Sequence, residues 1–353
     1  MKIGILTFHR ACNYGGILQC YALYKSLIRM GYDAEVIDYR AAAIEKNYSL
    51  VSTSSLKHFV SSILNIKHRK RMIANFRSFM KHNIIVSSQV YYKPNELSNK
   101  YDLCIIGSDQ VWSKRINRGF DPVYWGCFNG KKASYAVSMG TDHIYRQSEY
   151  QRIERFLNNF DFLSTREDSL RDELTPYTDK DIQTVIDPTL LLSVNDYKEI
   201  AIKPKEDNYV LYYQMEYHPR SKDFVTNIAK QLGCKIITLM GPNEDYGNIK
   251  HIHKIVSEVS VNEFVGYILY ARCVIASSFH GTALPIAMRK DFYFLANSKV
   301  DRSENLLRHI DALDRMKKSD DQITFTSVDY YKIDKNIRAF VEKSKDFISI
   351  VVN

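Results

Sequence analysis

Short apolar runs alternate with stretches of helical period from the first residues of this chain onward. Lys2 to Thr7 is apolar, and the loop beyond it carries Asn13-Tyr14-Gly15-Gly16. Ile17, Leu18, Tyr21, Ala22, Leu23, Leu27 and Ile28 then recur at helical spacing, Gly31 closes the helix, and "DAEVIDY" (33–39) reads as the second strand. A strand–loop–helix–strand unit of about 35 residues is the mark of parallel α/β structure. The run-then-polar pattern returns in "YDLCIIGSD" (101–109), "KASYAVSMG" (132–140) and "FDFLSTRED" (160–168), with a helix expected over Arg152 to Asn158. "DIQTVIDPTLLL" closes this half at Asp187-Pro188. A second set opens at "YVLYYQM" (209–215). It continues through a helix over Ser221 to Leu232, strand "CKIITLMG" (234–241), a helix over Asn262 to Ala271, strand "RCVIASS" and a loop holding His280. The runs are short and apolar throughout, as strands are when helices cover both faces of their sheet. The pattern predicts an α/β protein of two Rossmann-like, doubly wound domains facing a cleft. The first spans 1–188 with a basic insertion at 46–95, and the second spans 189–328. An amphipathic helix over 329–353 is expected to pack back across the junction.

Composition narrows the class. The chain has 353 residues, 45% apolar and 25% charged, which is ordinary for a soluble globular protein and long enough for two cores. No apolar run reaches 18 residues, so no spanning helix is expected. The apolar start ends at Phe8, and His9, Arg10 and Asn13 follow without a small-residue cleavage site. It reads as a strand and not a signal peptide, and the expected location is cytoplasmic. None of the six cysteines forms a C-x-x-C pair, and Cys20, Cys104 and Cys273 lie in apolar segments as reduced core residues. The net charge of +9 has one source. Between Lys46 and Asn95 there is no acidic residue, and Lys46, Lys57, Lys67, Arg69, Lys70, Arg71, Arg77, Lys81 and Lys93 supply nine positive charges. There Ile66, Met72, Ile73, Phe76, Phe79 and Met80 interleave with the cations at helical spacing. One reading is a basic amphipathic helix that makes peripheral contact with an anionic membrane. The others are a solvated helix packed on its own domain, or a cap over the cleft. Nothing points to nucleic acid as a partner.

Ligands of open α/β sheets bind beyond the carboxyl ends of the strands. The residues that follow each run are therefore the candidates: His9 and Asn13 to Gly16, then Ser108-Asp109-Gln110, Ser138, Arg166-Glu167, and Ser277-Ser278-His280. Pro285 is tolerated in the first turn of a helix and not deep inside one. Thr282 is then the expected N-cap, and His280 is left in the loop beside N–H groups that suit a phosphate or carboxylate. A histidine titrates near neutrality and can exchange a proton with a substrate; the alternative is a packed or solvated loop histidine. Arg166 has the planar fork that grips carboxylate or phosphate, and its alternative is an ion pair with Glu167 or Asp168. "NYGG" is neither G-x-G-x-x-G nor a P-loop. His251 and His253 have no carboxylate or cysteine companion, so no metal site is expected. No G-x-S-x-G elbow is present.

"NYGGILQCYAL", "YDLCIIGSDQVWS", "ASYAVSMG", "STREDS", "DPTLLL" and "SSFHGTALPIA" occur in this order. Together they resemble the polysaccharide pyruvyl transferase family, from residue 1 to about residue 315. The resemblance implies a fold similar to GT-B glycosyltransferases. It also implies transfer of a pyruvyl group from phosphoenolpyruvate to a sugar, usually as a cyclic ketal. The donor is then the only small molecule besides the sugar acceptor, with no cofactor and no metal. His280 falls on the histidine of the family's S-x-H-G-type loop, Arg166 on the arginine of its R-E-x-S motif, and Arg302 on a basic residue downstream of the histidine loop. An Arg-x-x-His form of that loop is absent, and Ser277 stands three residues before His280. The resemblance thus makes His280 and Arg166 catalytic and puts Arg302 on the donor side, where the strand-end loop and helix start add Ser277, Ser278, Gly281 and Thr282. His9, Asn13, Tyr14, Gly15, Ser108, Asp109 and Gln110 fall on the acceptor side, where the sugar is either lipid-linked or soluble. A GT-B glycosyltransferase using a nucleotide sugar is the competing enzyme class, although no E-x7-E pair occurs in the second half. A non-catalytic carbohydrate-binding protein of the same fold is the competing non-enzyme class.

Overall fold

Five parallel strands form the first sheet of the computed structural model, in the order β3-β2-β1-β4-β5. They are β1 (Lys2–Leu6), β2 (Asp33–Tyr39), β3 (Val86–Tyr91), β4 (Leu103–Ile106) and β5 (Lys132–Ser134). β1 pairs Lys2 with Asp33 on one side and Ile3 with Leu103 on the other. β6 (Leu163–Thr165) and β7 (Ile182–Thr184) pair with each other, and bridges from Phe162 to Ala133 and from Thr165 to Val137 carry them along the β5 edge. The structure describes residues 1–51, 63, 65–140, 146–215, 220–239, 252–296, 301–318 and 323–353.

Helix α1 (Tyr14–Arg29) forms because Asn13 caps it, its Oδ1 accepting from the Gly16 N–H at 3.0 Å, and because its apolar stripe has a sheet to cover. Ile17, Leu18, Tyr21, Ala22, Leu23 and Leu27 are all buried. Between β2 and β3 lies α2 (Ile66–Asn83), which buries Phe76, Phe79 and Met80 and exposes Lys67, Lys70, Arg71, Arg77 and Lys81. The acid-free segment is therefore no insertion. Its helix is a crossover and its β3 is a paired edge strand of the sheet. Residues 52–62 and 64 of that segment, Lys57 among them, lie outside the described residues. Cys20, Cys104 and Cys273 are buried free thiols, as their apolar surroundings predict. Among the described residues no helix is long and apolar enough to cross a membrane.

The second sheet has six parallel strands in the order β10-β9-β8-β11-β12-β13. These are β8 (Tyr209–Tyr213), β9 (Lys235–Leu239), β10 (Ile252–Val256), β11 (Cys273–Ala276), β12 (Asp291–Leu295) and the two-residue β13 (Met316–Lys317). Around it run α3 (Ser221–Leu232), α4 (Val261–Leu269), α5 (Phe279–Ala287) and α6 (Asp301–His309). The chain divides into two compact units. Unit 1 is Met1–Leu191 with Val341–Asn353, and unit 2 is Leu192–Phe340. The last helix, α7 (Tyr330–Val352), contributes to both. Its first part holds Tyr330 to the Lys290 carbonyl and Asp334 to Arg289, and its second part buries Phe347, Ile348 and Val351 in unit 1.

Both sheets reverse direction at the same place. In each, the first strand sits between the second and the one that comes after the next crossover, β1 between β2 and β4 and β8 between β9 and β11. Crossovers on the two sides of that strand leave in opposite directions, which opens a crevice at its carboxyl end. Each unit has its own crevice: the loops after β1 and β4 reach the one in unit 1, and those after β8 and β11 the one in unit 2.

Candidate active site

In unit 2 the crevice is closed by a short polar hinge. β11 is buried at every residue, and Ser277, directly after it, is buried too. The Ser277 Oγ accepts from the Met215 N–H at 3.0 Å, which ties the end of β11 to the end of β8. Ser278 caps α5: its Oγ accepts from the Gly281 N–H at 3.2 Å, and Thr282 Oγ1 donates back to the Ser278 carbonyl at 3.1 Å. The helix thus starts earlier than the proline argument predicts. Thr282 lies inside it and Pro285 is an interior residue of the helix. The Ser278 side chain supplies a cap that Thr282 was expected to give, and the missing Pro285 N–H is tolerated in a helix of nine residues. His280 is accordingly in the first turn of α5 and not in the loop.

Gly281 lets this turn sit on the strand end. A Cβ there would lie 2.6 Å from Ala276 Cβ and 2.8 Å from Ser278 Oγ, closer than side chains approach. The half-buried His280 ring stands edge-on to Phe279, with centroids 5.0 Å apart. Arg302 is the second residue of α6, which follows β12 and packs against α5. β11 and β12 are parallel neighbours, in register from Cys273–Asp291 to Ala276–Phe294. Both helices therefore begin at the same edge of the sheet, and their positive dipole ends flank the strand ends with a histidine on one and an arginine on the other.

In unit 1 the residues after β4 turn sharply at Gly107, where φ is +126° and a Cβ would fall 2.1 Å from the Tyr135 carbonyl oxygen. Only glycine fits. The turn buries Ser108 against Asp187, at 3.4 Å, and its carbonyl accepts from Thr7 Oγ1. Asp109 bridges to Val137, and its Oδ2 stands 3.8 Å from the position a Gly16 Cβ would take, close to the first turn of α1 that Asn13 caps. Gln110 lies against Gly140. Asn13, Gly16, Ser108, Asp109 and Arg166 are thus brought together. Gly15 is buried in the first turn of α1. Two of the expected residues turn elsewhere. Tyr14 packs its ring on Phe76 of α2, and His9 faces Asp38 at the end of β2.

Arg166 left two readings open, a fork offered to a ligand or an ion pair with Glu167 or Asp168, and the structure has the fork occupied by protein, with Glu167 among its partners. It is 3% exposed; Nε donates to Glu167 and Nη1 to Asp187, each at 2.8 Å, while Nη2 lies 3.6 Å from Asp109. Burial alone would discharge the guanidinium, but Glu167, Asp187 and Asp109 outweigh it and push its pKa up. Glu167, which the sequence offered as a partner, is one of its anchors; Asp168 pairs with Arg171 instead. Asp187 escaped the sequence argument because it was read only as the end of a half. A buried carboxylate three residues beyond the end of β7 obeys the same strand-end rule. The arrangement holds Asp109 at the crevice while three carboxylates share one cation.

A family model described as polysaccharide pyruvyl transferase matches residues 13–299. No curated protein sequence matches the chain. Among solved structures the chain is similar to the UDP-GlcNAc 2-epimerase of Neisseria meningitidis bound to UDP-GlcNAc, at 10% identity and a TM-score of 0.49, covering 99% of this chain and 94% of that one. It is similar also to the Methanocaldococcus jannaschii UDP-GlcNAc 2-epimerase in complex with UDP-GlcNAc and UDP, at 12% identity and 0.48 over 97% and 93%. The E. coli heptosyltransferase WaaC with ADP-2-deoxy-2-fluoro heptose follows at 11% and 0.40 over 84% and 89%.

Removing the one cation from this cluster leaves two fully buried carboxylates uncompensated. Arg166→Ala should therefore destabilise unit 1 by about 3–5 kcal/mol. Urea unfolding followed by circular dichroism reads this; a loss below about 1 kcal/mol would mean that the cluster does not depend on Arg166.

Proposed function

The chain belongs to the polysaccharide pyruvyl transferase family, and from that premise we propose that it moves the pyruvyl group of phosphoenolpyruvate onto a sugar of a polysaccharide or oligosaccharide precursor as a ketal. The observation that carries this reading is the place of His280, in the first turn of a capped helix at the switch point of the second sheet. Phosphoenolpyruvate reacts by protonation of its methylene carbon. Carbon two becomes oxocarbenium-like, a sugar hydroxyl adds to it and loses its proton, and phosphate then departs. A second hydroxyl closes the ring and loses its own proton. One of the two hydroxyl protons replaces the one spent on the methylene carbon and the other leaves with phosphate. Such a site needs a group that carries protons in both directions and donors fixed where negative charge sits. We assign the first role to His280. The second falls to Arg302 and to the N–H groups that open α5 and α6, with Ser277, Ser278, Gly281 and Thr282 shaping the hinge. Arg166 acts as a positioning residue that fixes Asp109, and Asn13, Ser108 and Gln110 line the acceptor side.

The exposed cations of α2 support a second element of the proposal, peripheral attachment to an anionic membrane surface at the cytoplasmic side. Each basic residue near such a surface contributes about 1 kcal/mol, screened over about 8 Å at physiological salt.

Three measurements check these assignments. Phosphate release from phosphoenolpyruvate, with a mass gain of one pyruvyl ketal on the acceptor, should fall about 100-fold or more in His280→Ala while the melting temperature holds. Near-normal turnover in the folded variant would remove His280 from the mechanism, and release of a nucleotide from a sugar donor instead would favour a glycosyltransferase. Arg302→Ala should weaken phosphoenolpyruvate binding by roughly 1.5–3 kcal/mol in calorimetry, and lysine should restore only part of it; unchanged affinity refutes the clamp. In vesicle sedimentation at low salt, the chain should pellet with anionic and not neutral lipid, and replacing Lys67, Lys70 and Arg71 by Gln should release it. Failure to bind either vesicle refutes the attachment.

A further inference from the structure

A cavity of about 300 Å³ opens in unit 1 between the loop after β1, the end of β2 and helix α2. Its polar side is made by His9, Arg10, Asp38 and Glu45, and its apolar side by Tyr48, Leu50, Ile73, Phe76 and Met80. The polar side is saturated from within. Asp38 takes His9 Nε2 at 3.2 Å and Arg40 Nη2 at 3.1 Å, and Arg10 chelates Glu45 with Nε and Nη2. The other His9 nitrogen faces the Thr7 carbonyl at 3.3 Å, so neither ring nitrogen is left to a ligand. Burial would raise the Asp38 carboxyl, but the hydrogen bonds from His9 and Arg40 hold it well below the usual carboxylate range. These carboxylates carry their own counter-charges and neither seek nor repel much.

The remaining cation is different. Arg77 lies on the cavity wall next to Phe76 and has no ion pair or hydrogen bond among the described residues. Burial pushes the Cys12 thiol on the same wall up to about 11, and the neighbouring Arg77, Arg69 and Arg10 only moderate the rise. No acidic residue occurs from Lys46 to Asn95, which supplies Arg77 and most of the apolar wall. A free sugar would find few hydrogen-bonding groups here that are not already spoken for. An anion on an apolar stem would find, beside Ile73, Phe76 and Met80, a guanidinium with no counter-charge among the described residues.

We propose that this cavity binds a phosphorylated amphiphile, with its phosphate on Arg77 and its aliphatic chain along Ile73, Phe76 and Met80. It thereby receives the lipid-carried end of a lipid-linked acceptor. The acceptor role rests on the transferase reading; the binding does not. The volume holds a phosphate and several carbons, at the lower end of small-molecule pockets.

Calorimetry with decyl phosphate, decanol and inorganic phosphate, each alone and without phosphoenolpyruvate, tests the binding. Decyl phosphate should bind at least about 10-fold tighter than either of the others, as a charge-assisted contact added to an apolar one requires. Arg77→Gln should weaken decyl phosphate by about 10-fold or more and leave decanol unchanged, whereas Ile73→Gln should weaken both. Leu50→Gln, at an exposed position of the wall, replaces Ile73→Gln should that variant fail to fold. Decyl phosphate binding no tighter than decanol, or no tighter than inorganic phosphate, overturns the proposal, and so does indifference to Arg77→Gln. Loss of ketal formation with decyl phosphate binding intact would count against the transferase reading and not against this site.

Discussion

Parallel strands impose the constraint from which the rest follows. A parallel strand cannot turn straight back into its neighbour; the chain must cross over a face of the sheet before the next strand begins. Both sheets here grow outward from their first strand in two directions. The crevice that results is built by topology before any side chain is chosen. What the sequence adds is which side chains reach it. In unit 2 a glycine with no room for a Cβ brings a helix start onto the strand end, and the next residue back is His280. In unit 1 a glycine that could not carry a Cβ turns Asp109 toward the start of α1.

The Arg166 cluster shows how such an edge is stiffened. One guanidinium satisfies carboxylates from the residue beside it, from the end of β7 and from the loop after β4. Three strand ends are thereby referred to a single charge. A cluster with more anions than cations is costly to bury, and it persists because losing the shared cation would cost more. The same economy appears on the far side of β1, where Asp38 gathers His9, Arg10 and Arg40. In both places charge is used to fix loops.

Much of this was legible in the chain itself. β2 stands over the seven residues of "DAEVIDY", and α3 over Ser221 to Leu232, because a capped amphipathic stretch and a buried apolar run each leave a clear period. The strand-end rule singles out Asn13, Asp109, Arg166 and His280, and the structure has each of them just beyond a strand. The rule missed β3, β10 and β12. β3 and β10 are half-exposed and mix polar with apolar residues, so their runs are broken by Ser88 and Gln89 or by His253 and Lys254. β12 starts on Asp291 with only Met288, Arg289 and Lys290 between it and the preceding helix, so no loop sets its run apart. The sequence also placed Arg166 at the right strand end and named one of its partners, Glu167, but not the others. A linear pattern shows Glu167 and Asp168 beside it, and only the fold brings Asp187 across from β7.

The last helix has a consequence for how the chain is made. Its final turns belong to unit 1: Ser344 Oγ accepts from the Ile186 N–H at 2.8 Å, and Phe347 lies against Tyr135. Everything in unit 2 is synthesised between Leu191 and those turns. On a ribosome that delivers residues in order, the first unit to emerge is therefore the last to be finished, and it waits with an apolar flank open while the second folds to completion. The order of translation and the order of assembly run in opposite senses, so unit 1 is the part of this protein most in need of shelter during synthesis.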